Sequence, residues 1–201
     1  MRAFGTLDAV AVPLRAANMD TDQIIPARFL WRRRQDGFGE LLFHDLRHAE
    51  DGTRRQDFVL DRPEYAGAEI IVAGKNFGCG SSREAAVWAL ADAGVRAVIA
   101  PSFGDIFFNN SLKNGLLPVI LAEARVAGLR AALEAGRNRR IVIDLAGQRV
   151  TGPDGEIERF EIDPFGKQLL LAGLDELSLT LREAEKIAAF EREYEREIDW
   201  L

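Results

Sequence analysis

Ala68-Glu69-Ile70-Ile71-Val72-Ala73 runs into Asn76-Phe77-Gly78-Cys79-Gly80-Ser81-Ser82-Arg83-Glu84, and that into Ala85-Ala86-Val87-Trp88-Ala89-Leu90-Ala91. The first stretch is apolar and β-branched, as a buried strand requires. The second is a glycine-rich turn. The third has small and apolar residues at helical spacing. The order strand, turn, helix N-terminus gathers unpaired backbone N–H groups and the positive end of a helix dipole at one point. Such a point binds anions. Two hydroxyls and one guanidinium stand there, and the glycines let the backbone come close to a ligand.

Downstream the same alternation continues. A strand is expected at Ala97-Val98-Ile99-Ala100, a helix over 103–110 and a strand at Leu117-Pro118-Val119-Ile120-Leu121. This βαβ order predicts an α/β fold with a parallel core. Residues 123–134 read as an amphipathic helix ending at Gly136. Strands are expected at 140–145 and 159–162, with the Gly152-Pro153-Asp154-Gly155 turn between them. A short helix follows at 167–174, then a charged helix at 181–196 whose alternating signs suit a solvated face. Upstream, 7–14 reads as a strand and Asn18-Met19-Asp20-Thr21-Asp22 as an Asx turn. Residues about 30–62, rich in charge and glycine, read as a long mobile loop with one helical turn.

The chain has 201 residues, 47% of them hydrophobic, enough for one domain with a sizeable core. Its net charge of −6 argues against a nucleic-acid partner, which selects a basic footprint. A single cysteine gives neither a disulfide framework nor a thiolate metal cage. No apolar run approaches the roughly 20 residues that span a bilayer, and no signal-like apolar segment opens the chain. The expectation is a cytoplasmic protein without a membrane partner.

Ser81-x-x-Glu84 has the spacing of a capping box, which by itself asks only for a capped helix. Arg83 asks for more, because the helix dipole disfavours a cation at that end. A carboxylate or phosphate ligand would account for it, and a serine beside Arg83 with a lowered pKa would serve as a base. The Walker and Rossmann spacings are both incomplete, which disfavours a nucleotide. Cys79 sits where a nucleophile elbow would place one, but Phe77 stands where that motif has glycine. His44 and His48, four residues apart, lack a third ligand and read as a surface pair, leaving no metal site in this chain. Asp20-Thr21-Asp22 is either an Asx turn or a carboxylate pair facing a ligand or Arg83. Arg28, Arg32, Arg33 and Arg34 form either a solvated face or an anion-recognising patch.

Together, Asn18 to Pro26, Asn76 to Glu84, Ala100-Pro101-Ser102-Phe103-Gly104-Asp105-Ile106-Phe107, and Gly173-Leu174-Asp175 with Leu179-Thr180-Leu181 carry a resemblance. The chain resembles the small subunits of 3-isopropylmalate dehydratase and is similar to the swivelling C-terminal domain of aconitase. The resemblance implies a single swivelling β/β/α domain over 1–201. It implies a hydro-lyase of leucine biosynthesis that interconverts 2- and 3-isopropylmalate through isopropylmaleate. It further implies a large-subunit partner, in a heterodimer or heterotetramer, that carries a [4Fe–4S] cluster. Ser81 would be the base. Ser82, Arg83, Asp22, Thr21, Arg28 and Gly80 would bind the dicarboxylate, with 28–34 in the loop that selects the side chain. The family usually continues Ser-Arg-Glu-His, and Ala85 stands at that position here. A paralogue acting on citramalate or dimethylmalate is the alternative within this class. A Cys79-dependent hydrolase and a non-catalytic carboxylate-binding module are the alternatives outside it.

Overall fold

The computed structural model describes residues 1–55, 57–136 and 138–198. Among them the strands form one seven-stranded sheet in the order β4-β3-β2-β1-β5-β6-β7. The strands are β1 (Thr6–Leu14), β2 (Ile70–Ala73), β3 (Ala97–Ala100), β4 (Leu117–Ile120), β5 (Arg140–Asp144), β6 (Arg149–Thr151) and β7 (Ile157–Arg159). The first four run parallel, with Ala11 beside Ile70 and Ile71 beside Val98. The last three form an antiparallel wing attached along the other side of β1, where Leu7 faces Ile143. The α-helices are α1 (Thr21–Ile24), α2 (His44–Arg47), α3 (Glu84–Asp92), α4 (Asp105–Lys113), α5 (Glu123–Ala135), α6 (Pro164–Ala172), α7 (Glu176–Leu181) and α8 (Ala184–Glu197).

A parallel sheet must be covered on both faces, and its strands read as unbroken apolar runs for that reason. Here the side-chain alternation divides the core. Ile71, Ala73, Val98 and Ala100 join α3 and the 30–65 segment on one face. Ile70, Val72, Ala97 and Ile99 join α5, α6 and the antiparallel wing on the other. Both sets are fully buried, and at about 25 cal/mol per Å2 of apolar surface this two-sided burial dominates the stabilisation.

The segment expected as one long loop is built instead from short turns. It holds α2 and 3-10 turns at Arg34–Asp36, Gly39–Leu41 and Val59–Asp61. Phe38, Leu42 and Phe43 bury themselves in the first core cluster, which fixes the middle of the segment. Sequence periodicity over so few residues gives no signal for such turns.

Three other expectations shift. The charged helix expected at 181–196 forms as α8, starting three residues later at Ala184, and the helix before it, α7, is unexpected: Asp175 caps α7 through the Ser178 N–H and the chain turns at Arg182 and Glu183. β6 is an unexpected three-residue strand, so the Gly152–Gly155 turn joins β6 to β7. The final strand is Ile157–Arg159, ahead of the expected span, and buried Phe160 follows it with its N–H donating to Gln148 C=O at 3.2 Å. The short helix begins at Pro164, with Asp163 accepting from the Gly166 N–H, and ends at left-handed Gly173.

Candidate active site

The carboxyl ends of β1, β2 and β3 point the same way, and in open α/β sheets ligands bind beyond those ends. The three following loops are stitched together by backbone hydrogen bonds. Gly78 N–H donates to Met19 C=O at 2.7 Å and Phe77 N–H to Ser102 C=O at 3.1 Å. Gly104 N–H returns to Phe77 C=O at 2.9 Å. Two asparagines close the joint between the first two loops. Asn18 and Asn76 both have positive φ, 53° and 59°, a region where asparagine is enriched. The Asn76 amide donates to the Asn18 side-chain oxygen at 2.9 Å.

The glycine turn is there because side chains would not fit. A Cβ on Gly78 would lie 2.2 Å from the Phe107 ring, and one on Gly104 would lie 2.6 Å from Gly78 O. Gly78 and Gly80 also have φ of +71° and +93°. The turn therefore lies flat against its neighbours and delivers Ser81 and Ser82 to the surface, both exposed. Among the described residues neither hydroxyl has a protein hydrogen-bond partner.

The expected capping box is not formed at Ser81. The residue capping α3 is Arg83, without a side-chain cap bond, and the Glu84 carboxylate turns aside to accept from the Asn114 amide at 2.8 Å. A capping box does form far earlier in the chain, at Asp20. Asp20 accepts from Gln23 N–H at 2.7 Å while the Gln23 side chain accepts from Asp20 N–H at 3.0 Å, capping α1.

Asp20-Thr21-Asp22 thus does three different things. Asp20 caps α1. Thr21 donates its hydroxyl to Ser81 C=O at 2.9 Å. Asp22 forms an ion pair with Arg83 Nη1. The bond from Arg83, and a second from Ala27 N–H at 2.8 Å, hold the Asp22 carboxyl below its ordinary range. Arg83 is only 16% exposed, so this pair holds a sheltered guanidinium against the loop that carries Asp22 and Ile25.

Arg28 lies one step further out. It grips Asp45 with both guanidinium nitrogens, and its Nη2 lies 3.2 Å from His44 Nδ1. The same grip, from Arg28 first and His44 after it, puts the Asp45 carboxyl well below the usual carboxylate range. Arg28, Asp22, Asp20, Gln23 and Asp45 line a pocket of about 350 Å3. Asp22 belongs to this pocket and to the Arg83 pair, so pocket and glycine turn meet there. Asp45 had no sequence signal, because its role depends on α2 folding back on 26–28. Arg32 and Arg34 lie elsewhere: Arg34 clasps Asp92 at the far end of α3 with bonds of 2.7 and 2.8 Å.

Burial, and next the charge of Asp20, push the Cys79 thiol up, which keeps it protonated and a poor nucleophile. The two histidines stack on each other at 4.3 Å and bond to Asp45 and to His44 C=O. None of those contacts reaches Cys79. Among the described residues no three His, Cys, Asp or Glu side chains stand together as a metal site. An iron–sulfur cluster takes three or four thiolates, and the residues of this chain do not fit one.

A doubly covered α/β sheet with a serine–arginine turn beyond its parallel strands defines a class, and the comparisons place it. The model of the aconitase C-terminal domain matches residues 1–124, and the LeuD_N model matches residues 127–164. A 3-isopropylmalate dehydratase small subunit from Paramagnetospirillum magneticum is 51% identical over 201 residues, covering all of both chains. One from Azorhizobium caulinodans is 49% identical over the same span, again covering both chains fully. The solved structure of a 3-isopropylmalate dehydratase from Methanocaldococcus jannaschii superposes with a TM-score of 0.64 at 28% identity, covering 92% of this chain and 99% of that one. The chain belongs to the family of 3-isopropylmalate dehydratase small subunits.

Proposed function

We propose that this chain supplies the proton-transferring and carboxylate-holding half of a 3-isopropylmalate dehydratase. The enzyme is a hydro-lyase of leucine biosynthesis that moves a hydroxyl between adjacent carbons of isopropylmalate. The observation that carries the assignment within the site is the pair of exposed hydroxyls of Ser81 and Ser82, without a partner among the described residues, next in sequence to the Asp22-held Arg83.

Substrate carboxylates suit Arg83, Ser82 and the N–H groups at the start of α3, all donors gathered at the positive end of a helix. The same positive field favours an ionised Ser81, so its Oγ is the base that takes the proton from the carbon next to a carboxylate. The carbon–hydrogen electron pair becomes the new double bond as the neighbouring carbon loses its hydroxyl. Rehydration returns the proton from Ser81 Oγ and places hydroxide on the other carbon. Gly80 lets the diacid approach the turn, and Arg28, across the Asp22 pocket, lies on the side where the isopropyl group is sorted. The hydroxide is taken up outside this chain. A [4Fe–4S] cluster of the aconitase type belongs in this reading to a large-subunit partner, and no step above runs through it. The reading also includes a cytoplasmic setting and closure of the site between the two subunits. Among the described residues no helix is long and apolar enough to cross a membrane.

The test is an anaerobic assay with the iron–sulfur large subunit from the same source, following the ultraviolet absorbance of the unsaturated diacid. Each subunit alone should be silent and the wild-type mixture active. The Ser81→Ala mixture should lose at least about a hundredfold in turnover, the scale of a positioned proton transfer. Undiminished turnover in Ser81→Ala would remove that serine from the chemistry.

A further inference from the structure

Thr21 holds the peptide carbonyls on either side of the Gly80-Ser81 pair, those of Cys79 and Ser81. Its N–H donates to Cys79 C=O at 2.9 Å, and its hydroxyl donates to Ser81 C=O, also at 2.9 Å. Gly80 between them has φ +93°, and a Cβ there would sit 3.6 Å from Thr21 Oγ1. Thr21 is 2% exposed, and its single hydroxyl proton is already committed to Ser81. It therefore has no donor left to offer a carboxylate. Behind it the chain is rigid: Thr21 opens α1, Asp20 caps that helix, and Ile24 and Ile25 are fully buried. Ile25 N–H closes the turn on Thr21 C=O at 3.0 Å.

We infer that Thr21 is a positioning residue for Ser81: it anchors the carbonyl of the base's own peptide to the core through α1 and so fixes where the Ser81 hydroxyl points. A glycine in the left-handed region is the freest joint in the turn, since glycine adopts positive φ at little cost. A clamp across that joint is what keeps a surface serine from wandering. Misplacement of a reacting group by about 1 Å costs on the order of a hundredfold in rate. This inference rests on the reading of Ser81 as the base.

The experiment compares Thr21→Val, which keeps the shape and loses the hydroxyl, with Thr21→Ser, which keeps the hydroxyl. Both are assayed as complete enzyme with the cluster-bearing partner. Thr21→Val should lower kcat about tenfold or more while KM stays within about twofold, because orientation and not binding is lost. Its kcat–pH profile should move as the serine leaves its field, and Thr21→Ser should recover kcat to within about threefold of wild type. A rise in KM at constant kcat would overturn the inference and make Thr21 a substrate contact. Equal losses in Val and Ser variants, tracking a common fall in melting temperature, would overturn it in favour of a packing role. Ser81→Ala separates the two ideas: if that variant keeps its activity the base assignment fails. If it loses activity while Thr21→Val keeps its kcat, only the positioning inference fails.

Discussion

Arg83 Nη1 is bonded to both Asp22 Oδ1 and, at 3.4 Å, the Ile25 carbonyl. The two loops that build the site are thereby tied through the charge that the proposed function assigns to a substrate carboxylate. Removing the carboxylate frees the guanidinium without removing it. Asp22→Ala should therefore raise KM for the diacid by about three- to tenfold, since hydrogen bonds to charged groups contribute about 1.5–3 kcal/mol and this one is partly screened at an exposed carboxylate. kcat should fall less than KM rises. Steady-state kinetics of the complete enzyme read both, and an unchanged KM would show that Arg83 holds its direction without Asp22.

The backbone of the turn makes a sharper demand. Gly78→Ala places a methyl carbon against the Phe107 ring at a φ of +71°. Overpacking costs about 1–3 kcal/mol, and a non-glycine residue held in the left-handed region adds about 1 kcal/mol more. For a chain of this size the melting temperature should fall by roughly 5–15 °C. Because Phe107 packs with Phe77 and Phe103, the shift should also disturb the joint between the second and third loops. A melting curve coincident with wild type would mean that the ring moves aside freely.

Much of this was legible in the sequence, and the boundary between what was and was not is physical. The run 68–100 declared strand, turn, helix and strand because two-sided burial leaves no polar interruption in Ile70, Ile71 and Val72. The exposure of Ser81 and Ser82 at the start of α3 was legible because a glycine turn between a buried strand and a helix brings its polar residues to the surface. The α3 cap was misread because a capping box is a spacing, and spacing cannot show that Glu84 prefers Asn114, 30 residues away. The Arg28–Asp45 pair and the Thr21–Ser81 bond were invisible for the same reason: each joins residues that meet only after folding, 17 and 60 positions apart.

Acid should loosen the 30–65 segment first. Asp61 is 9% exposed and receives Arg47 Nε at 2.9 Å, with Arg54 on the same carboxylate. Burial works against its charged form, but the two arginines more than offset it, so its folded pKa lies below the ordinary value. A depressed carboxylate stabilises the fold above its unfolded pKa, near 4, and that contribution is lost as pH falls through the lower folded value. Stability should thus be level from neutral pH to about 5 and decline below about 4. Asp61→Asn should flatten part of that acid slope and cost about 2–3 kcal/mol at neutral pH by leaving two arginines without their partner. Denaturant titrations across pH 2–7 test both, and an identical acid slope in the variant would assign it to other carboxylates.

The thiol offers the cleanest division between readings. Burial and the nearby Asp20 charge raise the Cys79 pKa, so the nucleophilic thiolate is scarce at neutral pH. Alkylation by iodoacetamide should be slower than for a free cysteine at pH 7 and should climb with an inflection above about 8.5, the ordinary thiol value. Cys79→Ala should keep turnover within about threefold of wild type in the complete enzyme, since no proton transfer passes through it. A hydrolase built on this cysteine would behave oppositely, with fast alkylation near neutrality and complete loss in the alanine variant. Rapid labelling at pH 7 together with lost turnover would return Cys79 to the centre of the site and displace Ser81.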